Sequence, residues 1–375
     1  MDIYLPVTRG EQAGTTIFSA MVTYAELSQV FIFDDSDLPI EMRQQRDINE
    51  KRAGDFFKYM ADNENSYVSG SLTGTYDEAV EFIPLQSSFA SGRLGVLKIP
   101  STSKITLSDG QHRQSGIRQF FEAFPEQGNQ SIPVKLYFAN NIERKQQIFA
   151  DINGYTVKPS SSLAITFDHR NLLNSFIKDV LKEVPEIKAR VEMSKSSVGK
   201  NSSKLWPMAS FKKTLCYLMG MSERAFAEEV QDDELYAEIK AATVSFLKGL
   251  SNLPLWDDML HGNLNLAETR QDFIVSHAVF LEALGVYGNT LFSHFDANQG
   301  VDWSKMEALQ SVDVKKLAPV WRGRCVNING TMNKSVYGVK TSAAAICNMA
   351  NLELSEDLLK FDEKAKQSLI EQAGA

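Results

Sequence analysis

The chain has 375 residues, with 39 basic and 47 acidic side chains and a net charge of −8. A mildly acidic protein has no global field that draws it onto nucleic acid, so any DNA contact has to come from a local patch. Its 43% apolar and 23% charged residues are those of an ordinary globular protein rather than a disordered or fibrous one, and the length suffices for two or three domains. No run of eighteen apolar residues occurs, which argues against a transmembrane helix. Met1-Asp2-Ile3-Tyr4-Leu5-Pro6 has neither a basic leader nor an apolar core and does not read as a signal peptide. Cys216, Cys325 and Cys347 lie far apart, without a CxxC pair or zinc spacing, so neither a disulfide framework nor a structural zinc is expected. A reducing cytoplasm is the expected compartment.

In chain order, Thr15 to Thr23 is rich in β-formers, and Tyr24 to Phe31 turns helical. Pro39 to Asp62 predicts a helix with Ile48, Ala53, Phe56, Phe57 and Met60 on one face and Gln45, Asn49 and Arg52 beside that stripe. Leu94 to Ile99, Lys104 to Leu107 and Ile132 to Phe138 predict strands, and Ile142 to Ile152 a helix. Pro159 and the serines at 160–162 mark a soft boundary. Beyond it the pattern is mainly helical: Leu172 to Leu181, Met208 to Met219, Asp233 to Leu250, Glu268 to Leu284, Lys340 to Met349 and Ser355 to Gln372. The expected class is α+β, with a small mixed sheet in a domain at 1–162 and a mainly helical domain at 163–375.

The informative segment runs from Lys104 to Ile117. Ile105 and Leu107 end a strand; Ile117, Phe120, Phe121 and Phe124 mark the buried face of a helix. Asp109 and Gly110 then fall in the turn, and Gln111, His112 and Arg113 open the helix. Asp109 is a natural N-cap. Gly110 lets a ligand approach the backbone. The helix N-terminus favours phosphate, and Arg113 adds a bidentate fork for an oxyanion. His112 can donate, accept or shuttle a proton near neutral pH. Asp109 would repel a bare phosphate unless a divalent cation lies between them. The plainer reading is a capped helix with solvated first-turn residues.

Asp109-Gly110-Gln111-His112-Arg113 is the pentapeptide of the DGQHR-domain family, which this region resembles; it is similar, more distantly, to the ParB-type nuclease/NTPase superfamily. Two further segments match: Arg46 to Arg52 with the strand at Tyr67 to Gly74, and Phe149-Ala150-Asp151-Ile152-Asn153. Over nearly the whole chain the resemblance is to the DndB family. It is carried by Leu5 to Gln12, Asp168-His169-Arg170, Ser276-His277-Ala278, Leu281 to Gly285, Asp302-Trp303-Ser304 and Trp321-Arg322-Gly323-Arg324. The resemblance implies a regulator of bacterial DNA phosphorothioation that binds double-stranded DNA at the promoter region of the modification genes as a transcriptional repressor. It also implies association with other phosphorothioation proteins. An enzyme is the alternative: an NTPase, less readily a DNA nickase, with a nucleoside triphosphate and Mg2+ at the turn. In that case Asp109, Gln111, His112 and Arg113 are catalytic, Asp109 holds the metal, and Gly110, Arg46, Arg52 and Asn153 contact the nucleotide. A structural adaptor is the third reading.

Between Met193 and Lys213 stand Lys195, Lys200, Lys204, Lys212 and Lys213 with no acidic residue, among serines and asparagine and followed into the helix by Trp206. Such a segment suits the phosphate backbone; a mobile solvated loop has the same composition. Val198-Gly199-Lys200-Asn201-Ser202 lacks the first glycine and the Gly-Lys-Ser/Thr ending of a Walker A motif. Arg322 and Arg324 beside Trp321 form a second basic spot. His169 and His277 read as buried. An acidic chain that binds DNA through one patch gains from a homo-oligomer that doubles it.

Overall fold

Residues alternate in and out along Thr15–Thr23, where Phe18, Ala20 and Val22 are buried and Ser19 and Met21 exposed. The same period of two runs through Ile3–Gln12 and Ser131–Phe138, and it builds one buried sheet face. The computed structural model describes residues 2–31, 49–86, 91–103, 105–155, 157–293 and 301–373. Its contacts divide it into two compact units, Met1–Val157 and Lys158–Ala375, and the class is α+β.

The first unit holds β1 (Ile3–Gln12), β2 (Thr15–Thr23), α1 (Tyr24–Val30), α2 (Glu50–Asp62), β3 (Leu72–Tyr76), β4 (Glu81–Pro84), β5 (Leu94–Ile99), β6 (Ile105–Asp109), α3 (Gln111–Ala123), β7 (Ser131–Phe138) and α4 (Ile142–Gly154). The strands form one mixed sheet in the order β4-β5-β1-β2-β7-β3-β6. Among the described residues of this sheet, β3 and β7 pair parallel and the other neighbours antiparallel. Leu5, Val7, Phe18, Val22, Leu97, Val134 and Leu136 meet Leu27, Met60, Ile117 and Phe120 in a single core. Helix α2 presses close on α3, because a Cβ on Gly116 would lie 2.8 Å from the Ala53 carbonyl oxygen. The expected helix from Pro39 is thus seen from Glu50 to Asp62, capped by Asn49, whose Oδ1 accepts the Arg52 N–H at 3.1 Å; 39–48, including Ile48, lie outside the described residues.

The second unit holds α5 (Ser161–Phe167), α6 (Leu172–Glu183), α7 (Pro185–Arg190), β8 (Val191–Glu192), β9 (Trp206–Pro207), α8 (Met208–Met219), α9 (Glu223–Glu229), α10 (Asp233–Gly249), α11 (Trp256–His261), α12 (Leu266–Asp272), α13 (Ala278–Ser293), α14 (Val336–Met349) and α15 (Glu356–Ala373). Helix α13 is apolar around most of its circumference and is buried as such a helix must be. It lies tight on α8, since a Cβ on Gly285 would come within 2.4 Å of the Thr214 carbonyl oxygen. The expected helix from Glu268 to Leu284 is broken. Phe273 turns extended to bridge Lys315, and the Ile274 N–H donates to the Val314 carbonyl at 2.9 Å. Ser160 caps α5 and Ser162 is fully buried, accepting the Ala209 N–H. The serine run is therefore a packed helix start. The three cysteines are free and buried, and burial pushes each thiol up to about 11. Among the described residues no helix is long and apolar enough to cross a membrane.

Candidate functional site

The DGQHR turn stands at the end of an edge strand whose register is broken just before it. Thr73 pairs with Asp109 and Gly74 with Leu107, so Ser108 is an extra residue on β6. A bulge of this kind bends the strand and re-aims the next side chain. Asp109 consequently remains in β6, and the N-cap of α3 is Gly110, with no side-chain cap bond. This corrects the expectation that Asp109 caps the helix. Its carboxylate reaches forward one turn, and Arg113 Nη2 donates to Asp109 Oδ2 at 2.7 Å, with both side chains about a quarter exposed (24% and 30%). Arg113 is therefore a neutralised fork, not a free one.

Two glycines lie close around this pair, and Gly110 is held to glycine by its backbone. Gly110 has φ +97°, and a Cβ there would sit 2.3 Å from Leu72 Cδ2. A Cβ on Gly70 would sit 2.9 Å from Arg113 Nη1. The segment Tyr67 to Gly74 thus braces the turn from one side, and Phe149 of α4 closes the other. Together Ser108, Asp109, Gly110, Gln111, His112, Arg113 and Phe149 line a cavity of about 150 Å³. Gln111 is buried, its Nε2 donating to the Leu107 carbonyl at 3.0 Å, rather than solvated.

The expected nucleotide contacts do not all gather here. Arg52 is exposed in the first turn of α2, and Asn153 is exposed with its amide donating to the Phe149 carbonyl at 2.9 Å; neither lines the cavity. Arg46 lies outside the described residues. Among the described residues no three His, Cys, Asp or Glu side chains are grouped to hold a metal ion. Asp109 alone does not make a protein-held metal centre, whereas Mg2+ that arrives on phosphate oxygens needs only one or two carboxylates.

In the second unit the lysine segment is a loop held at its ends and from within. Parallel pairing of Val191 with Trp206 and Glu192 with Pro207 closes it. Glu192 accepts the N–H groups of Ser194 at 2.9 Å and Lys195 at 3.2 Å, which keep its carboxyl below the usual range together with the Ser194 hydroxyl, the largest cause. Inside, the Arg270 guanidinium donates to the carbonyls of Lys200 at 2.7 Å, Ser202 at 2.6 Å, and Lys204. Lys195 and Lys200 are exposed, and half-buried Lys204 donates to the Ala189 carbonyl at 2.7 Å.

Most of the other expected contacts have partners within the second unit. Lys212 is 5% exposed and bonded to Asn174 Oδ1 at 3.0 Å and Glu223 at 2.7 Å. Lys213 compensates the buried Glu282 at 3.1 Å. Trp206 is fully buried and stacked on Trp256. Arg324 is 6% exposed, donating to Asp362 at 2.7 Å and to the Thr341 carbonyl at 2.6 Å; Arg322 is exposed. His169 is exposed rather than buried, beside the Lys178 ammonium. Arg270 and Ser108 escaped the sequence reading, because the one acts on carbonyls some 70 residues away and the other shows only against its partner strand.

A family model described as DNA-sulfur modification-associated matches residues 5–353. No curated protein and no solved structure matches the chain. With this match over most of its length, the chain belongs to the DndB family.

Proposed function

We propose that this member of the DndB family is a cytoplasmic DNA-binding regulator of a DNA sulfur modification system, a repressor at the promoter region of the modification genes, acting beside other proteins of that system. The observation that carries the reading is the lysine loop: Glu192 accepts the Lys195 N–H, Arg270 donates to the Lys200 and Ser202 carbonyls, and the Lys195 and Lys200 side chains are exposed. Exposed lysines with serines and asparagine between them match the chemistry of a phosphate backbone. Lys204 stands at the same loop's end, and exposed Arg322 is a separate candidate contact. A homo-oligomer would double the patch against the acidic net charge. The test is retardation of promoter duplex in gels over a salt series. Replacing Lys195, Lys200 and Lys204 with Gln should reduce the slope of log K on log salt by about 2 to 3, at about 0.9 per lost phosphate contact. Retardation with an unchanged slope in a folded variant rejects the loop as the DNA contact.

A second reading, nucleotide hydrolysis at the DGQHR turn within a ParB-like, DGQHR domain at 1–162, is favoured by the cavity at the α3 N-terminus. Its volume of about 150 Å³ is below the ~300 Å³ at which whole-ligand pockets begin, so it suits a phosphoryl group and not an entire nucleotide. Arg113 and the first-turn N–H groups of α3 would bind phosphate oxygens once Asp109 is drawn away from Arg113. Mg2+ would supply charge neutralisation on those oxygens. The measurement is phosphate release from ATP, GTP and CTP with magnesium, with and without duplex. Asp109→Ala and Arg113→Ala should each lower turnover by about 10²-fold or more, as loss of a preorganised charge-stabilising group does. Absence of turnover in the unaltered protein removes this reading and leaves the regulator.

A further inference from the structure

A second cavity, of about 530 Å³ and broadly open to solvent, lies in the helical unit beside the loop from Asn327 to Asn333. The loop is rigidly made. Val326 bridges both Arg322 and Met332, and Gly330 takes φ +78° to let its N–H reach the Asn327 carbonyl at 2.9 Å. Asn333 spends both ends of its amide on bracing: Nδ2 donates to the Arg324 carbonyl at 3.1 Å, and Oδ1 accepts from Ser335. Its two neighbours are half-spent. Asn327 Nδ2 donates to Thr331 Oγ1 at 3.0 Å, and Asn329 Oδ1 accepts the Thr331 N–H and hydroxyl at 3.0 and 2.6 Å. Asn327 Oδ1 and Asn329 Nδ2 are left without an internal hydrogen bond among the described residues.

One free amide acceptor and one free amide donor on a fixed loop complement the edge of a nucleobase, which alternates donors and acceptors. The walls suit the rest of such a ligand. Tyr337, held against Phe361 at 6.1 Å between ring centroids, offers a ring to the cavity. Ile328 is 69% exposed and lines the same space. The Lys364 ammonium lies over one face of the Tyr337 ring, 5.9 Å from its centroid, which leaves the ring edge and the other face for a base, and no Asp or Glu lines the cavity among the described residues. The charge is thus matched to an anion, and aromatic and apolar walls are matched to a flat base, which stacks on aromatic side chains whatever its identity.

We propose that the cavity between the Asn327–Asn333 loop, Tyr337 and Lys364 binds a nucleoside monophosphate unit, free or as one residue of a single strand, with its base against Tyr337 and its phosphate on Lys364. This site shares no residue with the DGQHR turn or the lysine loop, so it stands if either of those readings falls.

The experiment is calorimetric titration of the full chain with AMP, GMP, CMP and UMP, with a 5′-phosphorylated ten-residue deoxyadenosine strand, and with inorganic phosphate alone. At least one nucleotide or the strand should bind at or below about 1 mM. Preference for a mononucleotide identifies a free ligand, and preference for the strand identifies nucleic acid. Lys364→Gln, a surface change, should weaken binding about tenfold, the factor that corresponds to losing about 1.4 kcal/mol. Tyr337→Leu should weaken it at least as much, Tyr337→Phe should restore it, and Arg113→Ala should leave it unchanged. The proposal is overturned if no nucleotide or strand binds or if phosphate alone binds as tightly. It is equally overturned if Lys364→Gln and Tyr337→Leu bind like the unaltered protein, or if Arg113→Ala abolishes binding.

Discussion

Arg324→Met should destabilise the protein by about 3–5 kcal/mol, the usual cost of breaking a buried ion pair from one side, and leave DNA retardation untouched. Asp362 is 1% exposed and Arg324 6%. The guanidinium donates to Asp362 Oδ1 at 2.7 Å, while Lys366 at 2.7 Å and Asn348 at 3.2 Å serve Oδ2. These contacts tie α15 to α14 and to the turn after Trp321. Burial alone would raise the Asp362 carboxyl, but the hydrogen bonds from Lys366 and Arg324 outweigh it and hold the group below the usual carboxylate range. A depressed carboxyl contributes stability that is complete above its unfolded value of about 3.9 and is lost as pH falls through the folded one. The penalty of Arg324→Met in urea denaturation should therefore be constant from pH 8 to 5 and shrink below about pH 4. Adding Asp362→Leu should cost less than the two single changes summed, because an apolar pair tolerates burial where a lone charge does not. Strict additivity would mean that the pair does not hold α15 in place, and weakened DNA retardation in folded Arg324→Met would restore this arginine as a DNA contact.

That pair also shows where the sequence stops being readable. Strand β2 and helix α8 were legible to the residue, because period-two alternation in Thr15–Thr23 and an apolar stripe in Met208–Met219 are local signals. The buried face of α3 was legible for the same reason. Asp109 was misread as a cap because the bulge at Ser108 exists only in the pairing of β6 with β3, some thirty residues earlier. The lysines between 193 and 213 are one residue type in one window. Asn174 and Glu223 decide that Lys212 is internal, whereas Arg270 bonds the Lys200 carbonyl and the Lys200 side chain is exposed. Helix α12 stops where Phe273 finds Lys315, a partner that no helical period encodes. The candidate site was legible as a turn with the right chemistry; its neutralised ion pair and small volume were not.

Acid should loosen the protein through His277 before it reaches the carboxylates. The imidazole is mostly buried below α12, and its Nε2–H donates to the Arg270 carbonyl at 2.9 Å. Burial brings its pKa down to about 4; Lys316, Lys334 and Arg270 add to the shift, and the hydrogen bond opposes it. In the unfolded chain the ring takes its proton near pH ~6.5. Between these values the unfolded state binds more protons than the folded one, so stability falls as pH falls. The loss begins below about pH 6.5 and reaches about 3 kcal/mol near pH 4, beyond which this group costs nothing more. His277→Gln keeps a donor for the Arg270 carbonyl and has no proton to gain. Its stability relative to the unaltered protein, from urea melts at pH 7.5, 6 and 5, should rise steadily toward the acid end, whatever offset the substitution brings at neutral pH. A difference that stays flat across those three values would show that the ring protonates in place. The same residue links stability to the proposed DNA surface: the backbone of Arg270 receives His277 while its guanidinium holds the lysine loop. DNA retardation by the unaltered protein should accordingly weaken at pH 5, where added positive charge alone would strengthen it, and His277→Gln should remove that weakening.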